Sequence, residues 1–134
     1  MKILVTGGLG FIGSHTVVEL QSKGFEVLIV DNLYNSSIDV LKGIESISGI
    51  APHYKNIDLR DKASVQALFK EYSDIAGVIH FAASKAVGES VENPLLYYEN
   101  NIAALVYLLQ ELQKSDQSYS AHYDAIPGYV SYLL

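Results

Sequence analysis

The sequence predicts an α/β fold built on a parallel, doubly wound sheet with helices on both faces. Three observations predict it. Short apolar runs rich in Val, Ile and Leu alternate with helix-length segments, the pattern of parallel strands covered on both sides. A glycine-rich turn, Thr6-Gly7-Gly8-Leu9-Gly10-Phe11-Ile12-Gly13, stands where the first run hands over to the first helix. An acidic residue, Asp31, closes the second run 18 residues after Gly13.

The elements follow in order. Lys2–Thr6 (KILVT) is a buried strand that ends in glycines. Phe11–Lys23 is a helix stopped by Gly24. Glu26–Val30 (EVLIV) is the second buried strand, and Asp31–Ser37 is a turn-rich loop. Ile38–Ile47 reads as a helix and His53–Ile57 as the third strand. Asp61–Tyr72 is a helix with Asp61 as N-cap and Val65, Leu68 and Phe69 on one side. Gly77–Phe81 is the fourth strand. Pro94 opens a last helix that runs to Lys114, with Tyr98, Ile102, Leu105, Val106, Leu109 and Leu112 as one apolar stripe. Right-handed crossovers then make this a Rossmann-type sheet, cut short after about four strands.

Residues 1–114 read as the domain proper and 115–134 as an atypical tail. The tail holds no Lys or Arg, only two acids and four of the ten tyrosines. Pro127-Gly128 marks a turn in it, and Tyr129–Leu134 has the composition of a short strand.

Composition narrows the function classes. The chain has 134 residues, 9 basic against 15 acidic, for a net charge of −6. That argues against nucleic-acid binding, which needs a basic face. With no cysteine, disulfide scaffolds, thiol catalysis and cysteine-ligated metals are excluded. The histidines show no metal-ligand spacing. The longest apolar run, Ile102–Leu109, has 8 residues, far short of the roughly 20 of a membrane span. No signal peptide is read at the N-terminus, and a soluble cytoplasmic protein is the expectation.

The glycine turn carries the main chemical signal. Gly8, Gly10 and Gly13 fit G-x-G-x-x-G, and Gly7, Gly10 and Gly13 fit G-x-x-G-x-x-G. Either set lets the backbone turn tightly and approach a pyrophosphate at a helix N-terminus. A bare glycine-rich turn without function is the alternative. Asp31 sits where a carboxylate accepts from adenosine ribose hydroxyls and repels a 2′-phosphate, so NAD is expected over NADP; a loop-capping aspartate is the alternative. Asp58 follows the third strand, and an adenine contact and a turn or capping role stand equally open. His80 is expected to be a satisfied core histidine.

Thr6–Gly13, Asp31-Asn32 and His80-Phe81-Ala82-Ala83 resemble the extended short-chain dehydrogenase/reductase family. Lys85-Ala86-Val87-Gly88-Glu89-Ser90-Val91, Tyr97-Tyr98-Glu99-Asn100-Asn101 and Asp31–Ser36 narrow the likeness to its nucleotide-sugar 4-epimerases. These enzymes interconvert UDP-glucose and UDP-galactose through a 4-keto sugar, with no net redox change; a related epimerase or dehydratase is the other identity. The resemblance implies that Gly7, Gly10, Phe11, Ile12 and Gly13 form the pyrophosphate turn. It implies that Asp31, Asn32, Asn35 and Ser36 hold the adenosine half, and that Asp58 and Leu59 line the adenine pocket. Phe81, Ala82, Ala83 and Lys85 would line the middle and nicotinamide end, and Asn100 would complete the site. Without the resemblance, Lys85 reads as a solvated loop lysine. The resemblance further implies a UDP-sugar substrate for the full-length relative and a homodimer through the helix at 95–112.

The family's proton-transfer pair, a tyrosine with lysine four residues on, is absent: no Tyr in the 134 residues has Lys at that spacing. No catalytic residue is therefore assigned. The break near Lys114 reads as a frameshift or truncation of a longer gene, and the chain as a cofactor-binding part without turnover. Two expectations follow: an open edge at the fourth strand, and self-association through it unless Tyr129–Leu134 folds back as a substitute.

Overall fold

The computed structural model describes residues 1–84, 91–114, 120–122 and 130–133. Strand β1 (Lys2–Thr6) lies at the centre, with β2 (Glu26–Asp31) parallel on one side and β4 (Ile75–His80) parallel on the other. Strand β3 (His53–Asn56) pairs parallel to β2. Helices α1 (Phe11–Ser22), α2 (Val40–Ser48) and α3 (Lys62–Glu71) connect these strands in turn.

The continuous apolar runs follow from burial on both faces. Alternate residues of a strand point to opposite sides. Ile3, Val5, Val27 and Ile29 pack with Val17 of α1 and Ile44 of α2. Leu4, Leu28, Val30 and Val78 pack with Val65 and Leu68 of α3 and with Ala104, Leu108 and Leu112 of the last helix. Two cores thus share one sheet, and neither strand face can be polar. Asp61 caps α3 as expected, its carboxylate accepting from the Ala63 N–H at 3.1 Å. Helix α2 starts two residues later than expected, because Ser37 and Ile38 make the entry turn by accepting from Val40 and Leu41. Strand β4 begins at Ile75, earlier than expected, because an irregularity at Lys2/Ile3 lets Ile75 pair as well as Gly77.

Two expectations are corrected. The fourth strand does not stand open, because the substitute pairing raised for Tyr129–Leu134 is formed by Val130–Leu133. Strand β6 (Val130–Leu133) returns antiparallel along it, from Gly77↔Leu133 to His80↔Val130, and β5 (Ser120–His122) lies outside β6. The order is β3-β2-β1-β4-β6-β5, a parallel four-stranded core with an antiparallel pair that takes up the ladder groups of β4.

The last helix is neither continuous nor striped as expected. It consists of α4 (Pro94–Tyr98), a π turn (Glu99–Ala103) and α5 (Ala104–Lys114). The buried residues are Ala104, Leu108 and Leu112, whereas Leu95, Tyr98, Ile102 and Val106 are exposed. The sequence pattern merges two apolar faces, and only one of them meets the sheet. Among the described residues no helix is long and apolar enough to cross a membrane.

Candidate functional site

The C-terminal ends of β1, β2 and β4 open into a cleft of about 370 Å³, the position at which open α/β sheets bind ligands. The glycine turn forms its floor. Gly7 takes φ +66, and a Cβ there would lie 2.8 Å from Ala82 N. Gly10 is the N-cap of α1, and its N–H donates to Gly7 O at 3.1 Å. A Cβ on Gly13 would lie 2.2 Å from Gly7 O. The working set is therefore Gly7, Gly10 and Gly13. Gly8 instead faces Ile29 in the core, where a Cβ would stand 2.8 Å from Cγ2.

Asp31 ends β2 and is buried. One carboxylate oxygen accepts from the Leu9 N–H in the glycine turn at 3.1 Å. The other accepts from the Leu33 N–H at 3.0 Å and from Ser36 Oγ at 2.7 Å. The loop-capping alternative raised by the sequence is therefore present, and Asp31 also faces the cleft. Leu33 has φ +62, a conformation costing an L-residue about 1 kcal/mol, which the Asp31 bond helps hold. Asn32 makes a local turn, accepting from the Tyr34 N–H at 3.1 Å.

Asp58 grips Arg60. Its oxygens accept from the Arg60 backbone N–H and Nε at 3.0 Å and from Nη2 at 2.6 Å. The guanidinium beside it holds the Asp58 carboxyl down at about 2. The turn role left open for Asp58 is therefore present, alongside a place on the cleft wall.

The opposite end is neutral. His80, buried as expected, shares a 2.7 Å hydrogen bond between Nδ1 and Thr6 Oγ1, and burial pushes it down to about 4. Ala82 N–H donates weakly to Thr6 Oγ1 at 3.4 Å. Beyond it, Ser84 is held by Asn100 and Asn101 of the π turn.

Gly7, Gly10, Asp31, Asn32, Asn35, Ser36, Asp58, Leu59, Phe81, Ala82, Ala83 and Asn100 all line this cleft. Phe11 and Ile12 do not. Their side chains point to solvent on the outer face of α1, Phe11 against the His15 ring at 4.8 Å, so only their backbone N–H groups can serve an anion at the helix start. Gly13 lies behind the turn and acts by close approach. Lys85 lies outside the described residues, as does the rest of segment 85–90. Sequence reading missed Tyr34, Arg60 and Ser84, which also line the cleft. The spacing Asp58-x-Arg60 carries no periodic signal, and Ser84 is legible only through its partners. Among the described residues no cluster could hold a metal ion.

The family model for GDP-mannose 4,6 dehydratase matches residues 4–124. The chain belongs to this family. Within it, the chain is similar to UDP-glucose 4-epimerases. It is 50% identical to that of Haemophilus influenzae over 115 residues, 86% of this chain and 34% of the relative. Among solved structures, the Stenotrophomonas maltophila UDP-glucose 4-epimerase with bound NAD and formylated UDP-arabinopyranose is 47% identical, with TM-score 0.80 over 86% of this chain and 34% of that one. The Bifidobacterium longum enzyme in complex with NAD+ and UDP is 45% identical, with TM-score 0.82 over 87% and 34%. The chain thus spans about a third of the length of the relatives it matches.

Proposed function

We propose that this chain is the NAD-binding part of a UDP-glucose 4-epimerase, the activity that inverts C4 of UDP-glucose or UDP-galactose. The observation that carries the reading is Asp31, a buried carboxylate bonded to the glycine turn on one side and to the Leu33–Ser36 loop on the other. A group that joins pyrophosphate turn and adenosine loop fits a dinucleotide that spans both.

NAD fits the residues present. The Gly7 backbone leaves no room for a side chain against Ala82, so the turn packs main chain to main chain just past the end of β4 at the floor of the cleft. The start of α1 offers the Phe11 and Ile12 N–H groups to the pyrophosphate. Asp31 accepts from a ribose hydroxyl through the one lone pair left on Oδ2, Oδ1 already accepting twice. Asp58, kept charged by Arg60, accepts from the adenine amino group beside Leu59. Phe81, Ala82 and Ala83 form the wall at the nicotinamide end, with Asn100 completing it; Lys85 joins them by resemblance. Bound NAD supplies reversible hydride exchange with C4 of the sugar. With no Tyr-x-x-x-Lys pair in its 134 residues, the chain itself binds without turning over. The exposed face of Leu95, Tyr98, Ile102 and Val106 is assigned to a homodimer contact, to be read by sedimentation equilibrium. A related nucleotide-sugar dehydratase is the second reading, favoured by the family match alone.

Calorimetric titration of the 134-residue chain with NAD and NADP tests this. NAD binds, and NADP binds more weakly by about tenfold or more, because a 2′-phosphate meets the Asp31 carboxylate. Asp31→Asn keeps the shape, removes the charge and narrows that gap. A cooperatively folded chain that does not bind NAD overturns the reading.

A further inference from the structure

Two adjacent asparagines in the middle of a helical segment need a reason, because Asn is a poor helix former whose carboxamide competes for backbone bonds. Asn100 and Asn101 occupy the π turn Glu99–Ala103. In a regular α-helix neighbouring side chains diverge widely. The wider π turn reduces that divergence, and such turns recur at functional positions. Here both carboxamides reach the same residue, Ser84.

Asn101 does so in two places. The Ser84 N–H donates to Asn101 Oδ1 at 2.8 Å, and Asn101 Nδ2 donates to Ser84 O at 2.9 Å. This two-point pairing copies what a neighbouring strand offers a peptide unit, at a position four residues beyond the end of β4. Asn100 Nδ2 donates to Ser84 Oγ at 2.7 Å. Asn100 and Ser84 line the cleft, and Asn101 does not. Asn101 therefore acts on the cleft through Ser84 and, more weakly, through Asn100, whose Nδ2 also donates to Asn101 Oδ1 at 3.4 Å.

We propose that Asn101 is a positioning residue for the cofactor site: presented by the π turn, it clamps the Ser84 peptide, fixing the Phe81–Ser84 wall and the Asn100 carboxamide that hydrogen-bonds to it. The role rests on the reading of the cleft as an NAD site. The opposite end needs no such clamp, since Asp31 and Asp58 there bond their own loops directly.

The test uses the 134-residue chain, with NAD titration and amide hydrogen exchange in the absence of NAD. Asn101→Leu lowers NAD affinity about tenfold and speeds exchange of the Ser84 amide by a similar factor, with β1 and β2 amides unchanged. Asn101→Asp keeps the acceptor for the Ser84 N–H and loses the donor to its carbonyl. Its affinity falls by about threefold, and the Ser84 amide stays protected; this variant decides the matter if Asn101→Leu does not fold. Ser84→Ala retains both clamp bonds and loses only the Asn100 contact to its hydroxyl, so the residue 84 amide stays as protected as in the parent; faster exchange there overturns the clamp. Unchanged NAD affinity in the Asn101 variants, or unchanged Ser84 exchange in Asn101→Leu, overturns the positioning role alone. Absence of NAD binding by the parent chain overturns the NAD reading and this role with it.

Discussion

The Asp31 end of the cleft is held by charged groups, a buried carboxylate and the Asp58–Arg60 pair, whereas the Ser84 end is held by carboxamides, hydroxyls and a neutral histidine. The charged end closes mostly within short stretches of chain, Asp31 reaching Leu33 and Ser36 and Asp58 reaching Arg60, with one longer bond of 22 residues from Asp31 back to Leu9. The neutral end closes over long separations, 74 residues from Thr6 to His80 and 17 from Ser84 to Asn101. Local, charged closure is formed as each loop forms. Distant, neutral closure depends on the sheet and the last helix being in place first.

The two ends differ, but both lean on Gly7. Its carbonyl lies where a Gly13 side chain would go, and its Cα side faces Ala82. Gly13→Ala places a Cβ 2.2 Å from Gly7 O. Backbone on both sides of the contact cannot yield cheaply, so the substitution costs about 3 kcal/mol and abolishes NAD binding. Urea unfolding with NAD titration checks both at once.

The next effect separates the ends by acid. His80 falls from its usual 6.5 to about 4 because it is buried. The unfolded chain therefore binds the proton first as pH drops. Stability is full above about pH 6.5 and declines towards pH 4, by about 3 kcal/mol in all. Unfolding midpoints across that window fall in the parent, and His80→Gln flattens the slope.

The smallest effect belongs to the charged end. Asp58 falls from 3.8 to about 2 beside Arg60. Its contribution is present above pH 3.8 and is lost as pH falls towards 2, a window wholly below that of His80. Both side chains are about a third exposed (35% each), so solvent screening limits the loss in Arg60→Gln to about 1 kcal/mol or less at neutral pH. NMR titration of the Asp58 carboxyl reads it, with the midpoint rising back towards 3.8.

How much of this was legible depended on the distance between partners. The strands were readable because residues buried on both faces must be continuously apolar, as Val27–Val30 are. The glycine turn and Asp31 were readable because their order follows from one strand–turn–helix–strand unit. The choice between the two overlapping glycine sets was not, since it turns on which backbone approaches Ala82. Nor was the stripe of the last helix: Leu105 and Val106 look alike in the pattern until the sheet selects Ala104 and Leu108 for burial.

Local periodicity and turn chemistry were therefore enough for the α/β class, the order of its parallel elements, the glycine turn and Asp31, whereas most other residues along the cleft were reached through the family resemblance. The fork of Arg60 on Asp58, the neutral His80–Thr6 pair, the clamp of Asn101 on Ser84 and the antiparallel register of the return strand on β4 came only with the assembled chain. The physical reason is that periodicity records which face a residue presents, but not which distant polar group it finds there. A buried hydrogen-bonding group must be satisfied by whatever the fold brings within about 3 Å, and that partner is chosen by packing.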